Sequence, residues 1–316
     1  MLRLPARPLA LLAAVVALVV AACSPTPTPT PGSSTAACSS PASSVAAQPS
    51  VIPVIIGDQV KGPFRFVFSY IDPATNGPAA SPDRTTKVAF IAPCQTNPGT
   101  AADATFMWTI EGTVGMYYLN TQFPTSGDWT AVFITSAPGK AEETIPVGFQ
   151  VHDSLPLINV GQQAPASDNP VASDVGGDLK QISTDPSPDP KFYQLSVKDA
   201  LAQHKPFVLV FATPAFCQSR TCGPALDRVK AGSQGAPSDV AFINVEPYKL
   251  SYANGKLQPV LDANNQLQPV EAVDQWGLTS EPWVFTVDGK GIVRRSFDGM
   301  PSDQELKDAI AEIAGT

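Results

Sequence analysis

The sequence carries little charge and almost no histidine. Charged residues make up 15% of its 316 positions, and the only histidines are His152 and His204. Acidic residues outnumber basic ones, 28 to 20, for a formal net charge of -8. No basic cluster occurs, which argues against nucleic acid and against a purely electrostatic hold on anionic lipid. A glycine-rich phosphate loop and an internal repeat are also missing, which removes the common nucleotide-binding and solenoid readings. Long apolar runs are absent apart from Leu9 to Val20. That run is shorter than the roughly 20 residues of a membrane-spanning helix, and no stop-transfer charges follow it.

What is present at the N-terminus reads as an export signal, residues 1–22. Arg3 and Arg7 precede the apolar run and the small residues Ala21 and Ala22 follow it. Val20-Ala21-Ala22-Cys23 resembles a bacterial lipobox. The resemblance implies that Cys23 becomes the mature N-terminus and carries acyl chains, holding the protein at the extracytoplasmic face of the cell membrane. Several chains on one residue give stable anchoring where a single chain binds only marginally. Residues 23–50 then form a tether. Ser24 to Ser50 is nearly all Pro, Thr, Ser and Ala without a charge, so it has nothing with which to bury a core.

About 265 residues remain, more than most single cores hold, and the expectation is two domains. Between residues 51 and 155, short runs rich in β-branched and aromatic residues alternate with turn residues. Phe64 to Tyr70, Thr86 to Ile91, Thr105 to Ile110, Met116 to Phe123, Trp129 to Thr135 and Ile145 to Val151 are the strand candidates. Asn76-Gly77, Asn97-Pro98-Gly99 and Ser126-Gly127 are among the breaks. The pattern predicts an antiparallel sandwich. Phe123 to Trp129 resembles the late hairpin of small bacterial immunoglobulin-like domains. Met107, Met116 and His152 are donor types that suit copper, but core packing is the better account of them and no metal is assigned to them.

Residues 156–190, rich in Pro, Asp and Ser from Gly161 on, read as a linker or wrapping loop. In residues 191–316 strands and helices alternate. Lys191 to Leu195 reads as a short strand, and Ser196 with Asp199 as a helix cap. Pro206 to Ala212 is a continuous apolar run, suited to a strand buried on both faces. Asp239 to Val245, Pro282 to Val287 and Gly291 to Phe297 follow as strands, with Asp288-Gly289 as a turn signal. Ser302 and Glu305 cap a last helix whose buried stripe is Leu306, Ile310 and Ile313.

Three segments in this order carry a family resemblance. Phe211 to Cys217 resembles the strand and turn that lead into the nucleophilic cysteine of thioredoxins. Ser280 to Val284 resembles their cis-proline loop, and Val287 to Val293 the hairpin after it. Gly161 to Pro165 resembles the leading segment of redoxins and TlpA-type thiol reductases. The resemblance implies an α/β thioredoxin fold for residues 191–316. Cys217 is then the attacking thiol and Cys222 the resolving one. Pro282 presents backbone to a substrate and keeps metals off the sulfurs. Neither cofactor nor metal is implied. The implied partners are extracytoplasmic protein thiols and disulfides together with a membrane electron donor.

The cysteines support this chemistry on their own terms. With Cys23 set aside, Cys38, Cys94, Cys217 and Cys222 remain, an even number in an exported chain. The close pair 217 and 222 suggests itself first, leaving Cys38 with Cys94 as a structural bond; two free thiols or intermolecular pairing are the alternatives. Gly223-Pro224 marks the start of a helix, and a helix N-terminus favours the thiolate. Four residues, Gln218 to Thr221, separate the cysteines where thioredoxins have two. Residues five apart in an α-helix lie roughly 8 Å apart. A disulfide needs Cα atoms within about 7 Å. The segment must therefore be a loop when oxidised.

Phe216 stands where thioredoxins carry Trp, and no acid lies in Phe207 to Ala212, so Glu246 and Glu281 are the candidate proton acceptors. The wider spacing also resembles peroxiredoxins of the bacterioferritin-comigratory type, although Thr213 is one residue too early and Glu281-Pro282 replaces their later arginine. Sco-type copper delivery and a non-catalytic binding module with a structural disulfide are the other readings.

Overall fold

A computed structural model describes residues 48–316, which lie in one compact unit. Cys23 and Cys38 fall outside the described residues, as do the signal and nearly all of the tether. Among the described residues no helix is long and apolar enough to cross a membrane.

The first half is built from strands. They are β1 (Ile52–Ile56), β2 (Gln59–Val60), β3 (Gly62–Ile71), β4 (Thr85–Ile91), β5 (Ala102–Asp103), β6 (Thr105–Ile110), β7 (Val114–Phe123), β8 (Gly127–Ser136) and β9 (Glu143–His152). They form two sheets, ordered β1-β3-β7-β6 and β2-β9-β8-β4-β5. Alternation drives the arrangement. Phe66, Phe68 and Tyr70 on β3 point one way, meeting Tyr117 and Leu119 of β7 and Phe133 of β8 in one buried cluster. Several of the rings pack edge to face, as Phe68 and Phe133 do at 4.8 Å, a geometry that contributes about 1 kcal/mol per pair beyond burial.

The second half begins with 3-10 turns at Ala172–Val175, Leu179–Gln181 and Pro190–Tyr193. Then come α1 (Val197–Ala202), β10 (Phe207–Phe211), α2 (Cys222–Ser233), β11 (Ala241–Val245), β12 (Leu250–Ala253), β13 (Lys256–Pro259), α3 (Glu271–Trp276), β14 (Trp283–Val287), β15 (Val293–Asp298) and α4 (Asp303–Ile313). The main sheet runs β11-β10-β14-β15, with β10 parallel to β11 and antiparallel to β14. Every residue of β10 is buried because both faces are covered. Val208 and Val210 meet α2 and α4, while Phe207, Leu209 and Phe211 meet α1 and α3. The helices α2 and α4 approach closely at Gly232, where a Cβ would lie 2.6 Å from Leu306.

The expected division into an immunoglobulin-like sandwich and an α/β thioredoxin fold is overturned by the secondary-structure content. Strand accounts for 36% and helix for 17%, and the described residues hold four α-helices in all. That is a predominantly β protein with several sheets, not a chain whose second half is an α/β thioredoxin fold. Two of the four helices have only six residues. The strand expected at Lys191 to Leu195 is also absent. Pro190 opens a 3-10 turn there, and the Asp189 carboxylate accepts from the Lys191 N–H. Phe192 and Tyr193 are both buried, so this run never had the alternation of a half-exposed strand.

A clasp of partly buried polar contacts joins the two halves. Arg65 on β3 forms an ion pair with Glu305 on α4 at 2.6 Å and lies over the rings of Tyr118 and Phe297. Arg228 on α2 donates to the Trp108 carbonyl of β6 at 2.8 Å and to that of Pro301 at 3.0 Å. Beneath them Met107, Ala225 and Met300 form a small apolar cluster, with Met116 and Tyr118 against it.

Candidate functional site

Strand β10 delivers the chain to the site. After Phe211 the backbone leaves the sheet and turns, with the Phe216 N–H donating to the Thr213 carbonyl, and reaches Cys217. Five residues later Cys222 is the first residue of α2. The two cysteines form a disulfide with their Cα atoms 5.9 Å apart. Gln218 to Thr221 is non-helical, as that separation demands, and Arg220 takes a left-handed backbone conformation at φ 64°.

The two sulfurs are not equivalent. Cys222 is completely buried against Leu226 and Val229, whereas Cys217 is half-buried at the edge of the same cluster. Thr221 makes no side-chain cap to the helix. Instead the Cys222 N–H donates to Cys217 Sγ at 3.2 Å, so the sulfur takes one of the unsatisfied donors of the first turn. A helix N-terminus draws negative charge to that position, which favours the Cys217 thiolate when the bond is reduced.

The Glu281 carboxylate lies beside the disulfide, and the peptide bond from Glu281 to Pro282 is cis. Pro282 is buried and Glu281 half-buried. The Glu281 carboxylate accepts from the Gln218 N–H at 2.8 Å and from the Tyr248 hydroxyl at 2.7 Å. Its backbone carbonyl accepts from Ser219 Oγ at 3.0 Å. Ser219 Oγ is itself 3.3 Å from Cys217 Sγ. Burial, followed by the contact with Glu281, pushes the Tyr248 hydroxyl up to about 12, so it stays a donor throughout the neutral range.

A second carboxylate lies behind the loop. Glu246 follows β11, beside the point where β10 ends. Its Oε1 accepts from the Thr184 N–H at 2.6 Å and the Thr184 hydroxyl at 2.8 Å. The same hydroxyl receives the Ala215 N–H at 3.2 Å, which ties this acid to the cysteine loop. Its Oε2 is sealed from solvent without a hydrogen-bond partner. Burial is the main cause pushing this carboxyl up to about 7, and the neighbouring Asp185 charge adds to it, against hydrogen bonds from Thr184 and Thr213. Glu246 and Glu281, both singled out in the sequence, therefore flank one loop. Thr184, Tyr248 and Ser219 carry no sequence signal that marks them.

The other candidates lie apart from this site. Met107 and Met116 face each other across β6 and β7, and His152 ends β9. His204 lies in the turn after α1 with a positive φ. Cys94 is itself disulfide-bonded. Among the described residues, the one group of metal-type donors drawn together is Cys217, Cys222 and Glu281, whose ligand atoms lie within 4.8 Å of one another. The chain matches no protein-family model and no curated protein.

Proposed function

We propose that this protein performs thiol–disulfide exchange through Cys217 and Cys222. The observation that carries the reading is the asymmetry of the pair: a half-exposed sulfur at the first turn of a helix, bonded to one wholly buried behind it. In the reduced form the Cys217 thiolate attacks a partner disulfide. One partner sulfur leaves as a thiolate and a mixed disulfide forms. Cys222, having lost its proton, then attacks Cys217 Sγ and releases the second partner sulfur. Two electrons pass from the Cys217–Cys222 dithiol to the partner, and the reverse order oxidises a partner dithiol. Glu246 is tied to the cysteine loop through Thr184, whose hydroxyl accepts the Ala215 N–H, and its elevated pKa suits a proton acceptor near neutral pH.

The export-signal pattern and the lipobox resemblance at Cys23 support a site for this chemistry outside the cell, with Cys23 as lipid anchor. Protein thiols and disulfides are then the substrates and a membrane donor supplies electrons. A Cys222→Ser variant is expected to accumulate mixed disulfides at Cys217, and a Cys217→Ser variant none. Titration in a glutathione buffer is expected to place the pair well above about -300 mV. A lower potential, with no trapped partner, would make the bond structural. Loss of fatty-acid labelling in Cys23→Ala tests the anchor.

A further inference from the structure

We infer that the reduced pair, together with Glu281, forms a binding site for a divalent cation of the zinc class. The inference rests on the same cysteines as the exchange reading but requires only that they can be reduced. Two thiolates and one carboxylate are a donor set that zinc accepts, with metal–sulfur bonds of about 2.3 Å and metal–oxygen bonds of about 2.1 Å. A tetrahedral ion with such bonds spaces its sulfurs about 3.8 Å apart and each sulfur about 3.6 Å from the oxygen. The three ligand atoms already lie within 4.8 Å of one another, so an adjustment on the order of 1 Å completes the set. The two sulfurs part when the bond between them is reduced, and their Cα separation of 5.9 Å leaves them room to do so.

The carboxylate is held ready. The Gln218 N–H fixes one of its oxygens and the Tyr248 hydroxyl the other. Each oxygen keeps a further lone pair for an ion. Donors of this kind around a ligand commonly set metal affinity by 10- to 100-fold. Cys217, Cys222 and Glu281 supply three protein ligands and leave a fourth position for water. The result departs from the metal-excluding role that resemblance assigns to Pro282, and the carboxylate on the preceding residue is the reason.

The chemistry balances without a hidden reactant. A trialkylphosphine gives two electrons to the disulfide and leaves as the phosphine oxide with the oxygen of water, and two thiols form. The cation then displaces both thiol protons and binds the two thiolates. Oxidation to the disulfide expels it, so metal binding and disulfide formation exclude each other.

The test titrates Co2+ into the full chain reduced with a phosphine, followed by displacement with Zn2+. The expected result is one ion per chain with a sulfur-to-cobalt charge-transfer band in the near ultraviolet. The oxidised protein, identical in sequence, is expected to show no band. Glu281→Gln is expected to weaken binding at least about 10-fold, and Tyr248→Phe to weaken it by a smaller factor. Absence of the band in reduced wild type overturns the inference. So does a Glu281→Gln variant that folds and binds as tightly, or binding of Cu+ alone with no dependence on Glu281. A pair that binds Co2+ after phosphine treatment yet exchanges with no partner disulfide would overturn only the proposed function.

Discussion

Replacing Glu246 with Gln is expected to flatten part of the pH dependence of stability. The native carboxyl is pushed up to about 7 from an ordinary 4.5, chiefly because burial disfavours the charged form. At about 1.4 kcal/mol per pH unit, that corresponds to roughly 3 kcal/mol between the two protonation states. The folded protein holds this proton more tightly than the unfolded chain does. The associated stability is therefore fully present below about 4.5 and is lost as pH rises through about 7. Asp298 adds a slope of the same sign, because burial first and Asp58 second push it up to about 6, against Arg65. The quantity to read is thus the difference between variant and wild type.

Urea unfolding at pH 5, 6, 7 and 8 measures it, with stability taken as the midpoint times the slope. Gln cannot ionise, so its advantage over wild type should grow by about 2–3 kcal/mol from pH 5 to pH 8. A constant offset is also expected. The new amide N–H2 occupies the place of an oxygen that has no partner, and an unsatisfied buried donor costs about 1–3 kcal/mol. That offset is the same at every pH and does not affect the slope. Parallel curves for variant and wild type would refute the reasoning. They would show that Glu246 is ionised in the fold throughout this range.

Other outcomes follow from particular contacts. Arg65→Met should destabilise by about 3 kcal/mol, because it strands the Glu305 carboxylate in a partly buried position; a double-mutant cycle with Glu305→Gln should return much of that. Trp276→Leu removes a wholly buried side chain that packs against Phe285 and donates to Ser167 Oγ, and should lower stability by about 3 kcal/mol in thermal unfolding. Reduction should move the amide resonances of Gln218 to Thr221, and that of Gln218 most, since its N–H is tied to Glu281 across the disulfide. Identical oxidised and reduced spectra in that loop would count against any change of structure on reduction.

The parts of this protein that were legible in its sequence are those set by local rules. The run Thr86 to Ile91 and the run Trp129 to Thr135 are β-branched and aromatic, and they pair as β4 and β8. Ser302 and Glu305 read as a capping box, and each side chain does meet the other's backbone N–H. The four-residue gap between Cys217 and Cys222 forbids a helix across it in the oxidised form, and none is present. Fold class is less legible. An alternating order of strands and helices says nothing about their lengths, and helices of six residues leave strand dominant. Phe192 and Tyr193 misled for a related reason, since apolar residues side by side fit a 3-10 turn as readily as a buried strand.

The surroundings of the disulfide were legible only as far as residue type. Glu246 and Glu281 drew notice as acids close to the elements that carry the cysteines, but what they do depends on partners far along the chain. Thr184, which binds Glu246, is 62 residues before it, in a stretch whose Pro, Asp and Ser content reads as linker. Tyr248, which binds Glu281, is 33 residues before it. These two contacts give the acids opposite characters. Glu246 is sealed behind the loop with one oxygen unpaired, so its charge is unfavourable and its proton is held into the neutral range. Glu281 meets a hydrogen-bond donor on each oxygen beside the half-exposed sulfur, and each oxygen keeps a further lone pair for a cation. One disulfide thus lies between a proton store and a ligand for positive charge. In the proposed function the first bears on exchange between thiols, and in the inferred cation site the second bears on what occupies the dithiol.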